Sequence, residues 1–258
     1  MIVKRDMYYW PADSIRTLHI WLPDNYYHCD ERYPVMYFFD GHNLFYDYDA
    51  TFGKCWGLKE FMEGWGKDMI IVGMECSHDG DARLGEYSPY DKSWGKKRIP
   101  GIGRKTFDWI IGTVKPVIDR DYRTWPHRAA TGIGGSSMGG LMSIFGVIEY
   151  NHIFSKAACV SPGIFYNIQH LRKDLEYADI NPDTRIFISW GEKEAGRAPH
   201  DGDPAKDTRE ARSVYKFEKQ LQARGARTYI FFQRDGRHCE ADWEKQIPYF
   251  MNFLWLSD

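Results

Sequence analysis

The chain has 258 residues, 43% of them hydrophobic and spread along its whole length, enough for one large α/β domain and without a composition break that would mark a linker. Its 34 basic and 36 acidic residues leave a formal net charge of -2, which excludes a broad electrostatic pull toward nucleic acid or an anionic membrane and favours a small-molecule partner. No run of about 18 apolar residues offers a membrane span.

The opening MIVKRDMYYWPADSIRT lacks the apolar segment of a signal peptide, so the expectation is a soluble, cytoplasmic protein with no membrane and no nucleic-acid partner. The five cysteines, Cys29, Cys55, Cys76, Cys159 and Cys239, are odd in number, far apart and without a CxxC pair. They read as reduced, buried small hydrophobes, with neither a disulfide framework nor a zinc site. Self-association is left open by the sequence.

In chain order, TLHIWL (17–22) alternates apolar and polar residues, with Leu18, Ile20 and Leu22 on one face, as an outer antiparallel strand does. VMYFFD (35–40) and MIIVGME (69–75) are nearly continuous apolar runs, the pattern of strands covered on both faces of a parallel sheet. Residues 77–103 are polar and rich in turn formers and could cover a site. RKTFDWIIGTVKPVID (104–119) has helical spacing, RAATGIG supplies a short strand, and MGGLMSIFGVIEY (138–150) is apolar on all sides, so a buried helix is expected. KAACV (156–160), RIFISW (185–190) and TYIFFQ (228–233) are further strands. TREARSVYKFEKQLQARG (208–225) is amphipathic and stops at Gly225, and EADWEKQIPYFMNFLWL (240–256) closes the chain with a kink point at Pro248. Alternation of strand and helix predicts a single domain over 1–258: a doubly wound, mostly parallel sheet with helices on both faces and its chemistry at the carboxyl ends of the strands.

The densest signal is ATGIGGSSMGG (130–140). A phosphate-binding P-loop needs GxxxxGK[ST], and Leu141 and Met142 stand where the lysine would follow. A dinucleotide GxGxxG starting at Gly132 would need glycine at 137, which is Ser137. The nucleophile elbow GxSxG fits in one register, Gly135-Ser136-Ser137-Met138-Gly139, because centring on Ser136 would put Met138 where glycine is required. As a bare five-residue pattern it also describes a glycine-rich turn packing a helix on a strand; the flanking strand and buried helix favour the elbow.

A serine hydroxyl needs a base and a third group that holds the base's tautomer, in this architecture in the chain order Ser, acid, His. Of the histidines after Ser137, namely His152, His170, His200 and His238, only His238 follows an apolar strand and a glycine and precedes the last helix. For the acid, the loop GEKEAGRAPHDGD after RIFISW offers Glu192, Glu194, Asp201 and Asp203; Glu194, three residues past Gly191, is favoured, with the others left open. For the oxyanion, the backbone N–H of Met138 follows the nucleophile, and the His42 N–H in FFDGHNLF is the second donor chosen. No cofactor and no metal is implied.

Together VMYFFDGHNLF, RLGEYSPY, VKPVIDRDYRT, GGSSMGGLMSIFGVIEYNHIFSKAACVSP and GRHCEADWEKQIPYFMNFL, in this order, make the chain resemble the putative-esterase family of α/β-hydrolases. That family includes feruloyl and acetyl-xylan esterases, S-formylglutathione hydrolase and siderophore trilactone esterases. The resemblance implies Ser137 as nucleophile, His238 as base, and His42 and Met138 as oxyanion donors. It departs at the acid, where the family's aspartate in GxxD is glutamate in Gly191-Glu192-Lys193-Glu194. The expected function is that of a serine carboxylic-ester hydrolase working through an acyl-enzyme on short-acyl or hydroxycinnamoyl esters of small sugars or related alcohols. A siderophore esterase, or a non-catalytic carbohydrate- or partner-binding relative, is the alternative.

Overall fold

The computed structural model describes residues 1–94, 97–194 and 208–256, apart from the side chains of Lys92, Trp94, Lys97 and Tyr166. Two compact units divide the chain, Met1–Ile133 and Gly134–Asp258.

In the first unit, β1 (Ile2–Tyr9) and β2 (Ser14–Trp21) form an antiparallel pair, β2 runs antiparallel to β4 (Ile70–Met74), and β4 runs parallel to β3 (Val35–Phe39). The strand order is β1-β2-β4-β3, with helix α1 (Leu58–Gly64) between β3 and β4 in the chain. Every residue of β3 and β4 is buried, as their unbroken apolar runs require. The 17–22 run is antiparallel as expected, but it is not the outer strand. β1 takes the edge, and its Lys4, Arg5 and Asp6 suit an edge that must stay unpaired. The described residues of the polar stretch 77–103 include α2 (Ala82–Glu86), an antiparallel pair of β5 (Lys92–Trp94) and β6 (Lys97–Ile99), and the start of α3 (Gly103–Trp109). The single helix expected over 104–119 is α3, a π-helical turn (Ile110–Val114) and α4 (Lys115–Asp121) in succession. Edge-to-face contact of Tyr9 and Trp109 at 5.0 Å and a Tyr9–Thr106 hydroxyl bond of 2.6 Å tie this helical stretch to β1.

β7 (Thr131–Ser136) crosses the boundary and leads the second unit, where the order is β7-β8-β9-β10. β8 (Lys156–Val160), β9 (Arg185–Gly191) and β10 (Arg227–Gln233) run parallel. Helix α5 (Met138–Glu149) is buried from Met138 to Ile148, as its all-round apolarity predicts. α6 spans Ile168–Tyr177. α7 (Arg209–Ala223) is capped by the Thr208 hydroxyl, which accepts from Ala211 N–H at 3.0 Å, and the chain leaves it through Gly225 at φ +98°. Pro248 does not kink one helix. It sits in the first turn of α9 (Ile247–Trp255), after the short α8 (Glu240–Trp243) and a 3-10 turn, where its missing N–H costs nothing.

Cys55, Cys76 and Cys159 are buried thiols, whereas Cys29 and Cys239 are only partly covered. Among the described residues no helix is long and apolar enough to cross a membrane.

Candidate active site

β7 ends at Ser136, and Ser137 turns the chain into α5 with φ +55° and ψ -117°. A side chain at such a φ stores strain of about 1–3 kcal/mol and needs its surroundings to hold it. They do so through the backbone: Ser137 N–H donates to Val160 O at 3.0 Å, and Ser137 O accepts from Gly163 N–H at 2.9 Å and Leu141 N–H at 3.0 Å. The glycines follow from the tightness of this turn. A Cβ on Gly135 would lie 2.9 Å from the Gly139 carbonyl carbon, and one on Gly140 would lie 2.9 Å from Val160 O. Ser136 is buried, while Ser137 is partly open. Met138 is the first residue of α5, so its N–H has no intrahelical acceptor and points from the helix's positive end.

The ends of β9 and β10 are stitched together. Gly191 pairs with Gln233, Glu192 N–H donates to Gln233 O at 3.0 Å, and Lys193 N–H donates to Gly236 O at 2.8 Å. That register brings Glu194 and His238, 44 positions apart, into contact: His238 Nδ1 lies 2.9 Å from Glu194 Oε2. The Glu194 side chain is only 2% exposed and that of His238 is 41% exposed. Glu194 Oε1 accepts from Gly191 N–H at 2.8 Å and from the Ser161 hydroxyl at 2.6 Å. Ser161 Oγ in turn accepts from Trp243 Nε1 at 3.1 Å, and the Trp243 ring stands edge-to-face to His238 at 5.0 Å. A carboxylate on Nδ1 keeps the proton there and leaves Nε2 as the basic nitrogen.

Of the other candidate acids, Glu192 points toward the turn after β10, where its carboxylate accepts from Asp235 N–H at 2.8 Å. Asp201, Asp203 and His200 lie outside the described residues. His152 and His170 are exposed. Ser161 and Trp243 carry no signal in the linear pattern: one ends a strand in an unremarked SPG turn, and the other sits in a helix among aromatic residues of similar character.

His42 lies in the first unit, in the 3-10 turn Gly41–Asn43 that follows β3, so its expected oxyanion role stands on the resemblance alone. Gly41 is required there, since its Cβ would lie 2.3 Å from the backbone of Gly73. The His42 ring is buried, with Nε2 2.9 Å from Thr51 Oγ1. Burial holds its pKa down at about 4, so the imidazole is neutral at pH 7. Asp40, His42 and Cys76 bring one ligand-capable atom each to within 4.8 Å of one another. Within the protein, the Asp40 carboxylate of this group is paired with a guanidinium. Burial would raise the Asp40 carboxyl, but Arg83, bound through Nε and Nη2 at 2.7 Å each, outweighs it and lowers it. Burial also pushes the Cys76 thiol up.

A family model described as putative esterase matches residues 13–253. Among solved structures, the chain is similar to an IroE-like serine hydrolase from Shewanella oneidensis, with a TM-score of 0.75 and 17% identity over 97% of this chain and 79% of that one. It is similar to a ferulic acid esterase (TM-score 0.71, 17% identity, 98% and 97% of the two chains). It is also similar to the enterobactin esterase of Shigella flexneri (TM-score 0.71, 13% identity, 99% of this chain and 59% of that one). At these identities the likeness carries the fold, an α/β-hydrolase built on a mixed, mostly parallel sheet.

Proposed function

Because the chain belongs to the putative-esterase family and is a carboxylic ester hydrolase, we propose that it works as a serine esterase through an acyl-enzyme, with Ser137 as nucleophile, His238 as base and Glu194 as the acid. The observation that carries this reading is the 2.9 Å contact between Glu194 Oε2 and His238 Nδ1, formed in the same unit as a serine strained at φ +55°.

In this reading the Ser137 hydroxyl adds to the ester carbonyl while His238 Nε2 takes its proton. The oxyanion that develops is met by the Met138 N–H, at the positive end of α5. The imidazolium then gives its proton to the departing alkoxide, and the acyl group stays on Ser137 Oγ. A water, deprotonated by the same nitrogen, adds to the acyl carbonyl; its collapse returns the proton to Ser137 and releases the acid. Glu194 stays ionised throughout and opposes the imidazolium charge from a position that water does not reach.

Short-acyl or hydroxycinnamoyl esters of small sugars or related alcohols are the proposed substrates, a class supported by the likeness to the ferulic acid esterase. The likeness to the enterobactin esterase supports a siderophore ester as the second reading. The test is hydrolysis of nitrophenyl acetate, methyl ferulate and a catecholate trilactone by wild type, Ser137→Ala and Ser136→Ala. The expected result is a loss of about 10³-fold or more in Ser137→Ala on every ester the wild type cleaves, with Ser136→Ala far less affected. Full activity in Ser137→Ala would refute the mechanism. Faster cleavage of the trilactone than of the other two would select the second reading, and a wild type inert to all three would select a non-catalytic relative.

A further inference from the structure

We propose that Ser161, itself held by Trp243, is a positioning residue that fixes Glu194 on His238; this rests on the serine mechanism proposed above. Glutamate has one more rotatable bond than aspartate, so a glutamate in the acid's place reaches a fixed geometry only if its carboxylate is pinned at more than one point. Here Oε1 is taken by two donors, Gly191 N–H at 2.8 Å and Ser161 Oγ–H at 2.6 Å, which leaves Oε2 facing Nδ1 of His238.

The direction of the Ser161 bond is determined by chemistry. The indole Nε1 of Trp243 can only donate, so Ser161 Oγ accepts there at 3.1 Å and must spend its single proton on Glu194. Ser161 is 1% exposed, so no bulk water replaces the hydroxyl. Its backbone is committed to the task as well: φ is +44°, and its N–H is held by Ser189 Oγ at 3.0 Å. Trp243 acts at both ends, donating to Ser161 while its ring packs perpendicular to that of His238 at 5.0 Å. The Glu194 carboxylate, the His238 ring and their contact are thereby over-determined by two buried side chains.

The experiment is a double-mutant cycle on nitrophenyl acetate hydrolysis with Ser161→Ala, Glu194→Gln and their combination, together with Ser137→Ala and Trp243→Phe. Ser161→Ala leaves the φ requirement as it was and removes only the hydroxyl. It should lower kcat about 10-fold or more with KM within about 2-fold, and Trp243→Phe should lower kcat about 3-fold. In the Glu194→Gln background, Ser161→Ala should cost less than about 2-fold, because there is no longer a productive carboxylate to position. If Ser161→Ala keeps the wild-type kcat, or costs the same with and without Glu194→Gln, the positioning role is overturned while the mechanism stands. If Ser137→Ala and Glu194→Gln both keep wild-type kcat, the mechanism itself falls. Should circular dichroism show Ser161→Ala unfolded, Trp243→Phe carries the same cycle, and its additivity with Glu194→Gln would overturn the role.

Discussion

Replacing Glu194 by glutamine keeps the volume and shape of a side chain that is 2% exposed, so the expected effect is on chemistry rather than on folding. The amide oxygen can still accept from Gly191 N–H and Ser161 Oγ–H, and meeting both donors forces the amide NH₂ into the place of Oε2, 2.9 Å from His238 Nδ1. A donor then faces a donor. The imidazole relieves this by moving its proton to Nε2, which leaves no lone pair there for the Ser137 proton. The negative charge that opposes the imidazolium is lost at the same time. For charge centres about 4 Å apart at an effective dielectric constant of about 20, that term alone is about 4 kcal/mol, or about 10³-fold in kcat. Steady-state hydrolysis of nitrophenyl acetate should show this loss in kcat, with KM within about 3-fold and a melting temperature within a few degrees of wild type. A fall in kcat of less than about 10-fold in a folded Glu194→Gln protein would refute the assignment of Glu194.

Gly191→Ala should damage the same contact from the backbone side. The new Cβ would stand 2.6 Å from Gly236 O and 2.8 Å from Glu194 Oε1, so a loss of about 1–3 kcal/mol in stability and a lower kcat are expected from urea melts and kinetics. Arg83→Ala leaves the buried Asp40 carboxylate without its guanidinium and should cost about 3–5 kcal/mol in urea unfolding. Combining Arg83→Leu with Asp40→Asn should recover most of that loss. His42 gives an acid-sensitive stability with a defined sign. Burial lowers its folded pKa from 6.5 to about 4, so between those values the unfolded chain binds more protons than the folded one. The contribution, about 3 kcal/mol at about 1.4 kcal/mol per unit, is whole above pH 6.5 and is lost as pH falls toward 4. Urea midpoints measured from pH 7 to pH 4.5 should fall in wild type and fall less in His42→Gln; parallel curves would count against a buried neutral His42.

Much of the architecture was legible because its signals are local. Continuous apolar runs marked β3, β4, β8 and β9, and all-round apolarity marked α5, because a segment covered on every side is built mainly of apolar residues. What went unread was the edge. β1 has Lys4, Arg5 and Asp6 in its centre, and a strand with a neighbour on one side only need not look like one. The outer position was therefore given to β2, which has a neighbour on each side.

The sequence by itself singles out the serine proposed as nucleophile. Ser137 rather than Ser136 follows from glycine at 135 and 139 and Met at 138, and a Cβ at 135 would strike the Gly139 backbone at 2.9 Å. That is a short-range steric rule, written in adjacent letters. The distinction between Glu192 and Glu194 is of another kind. Both are carboxylates in one polar turn, and no local pattern separates them. Only the parallel register of β9 on β10, with Gly191 against Gln233, sends the first toward Asp235 and the second beneath His238. The same holds for Ser161 and Trp243, 82 positions apart: the indole donates to the hydroxyl that in turn donates to Glu194 Oε1, a consequence of packing that no linear spacing encodes.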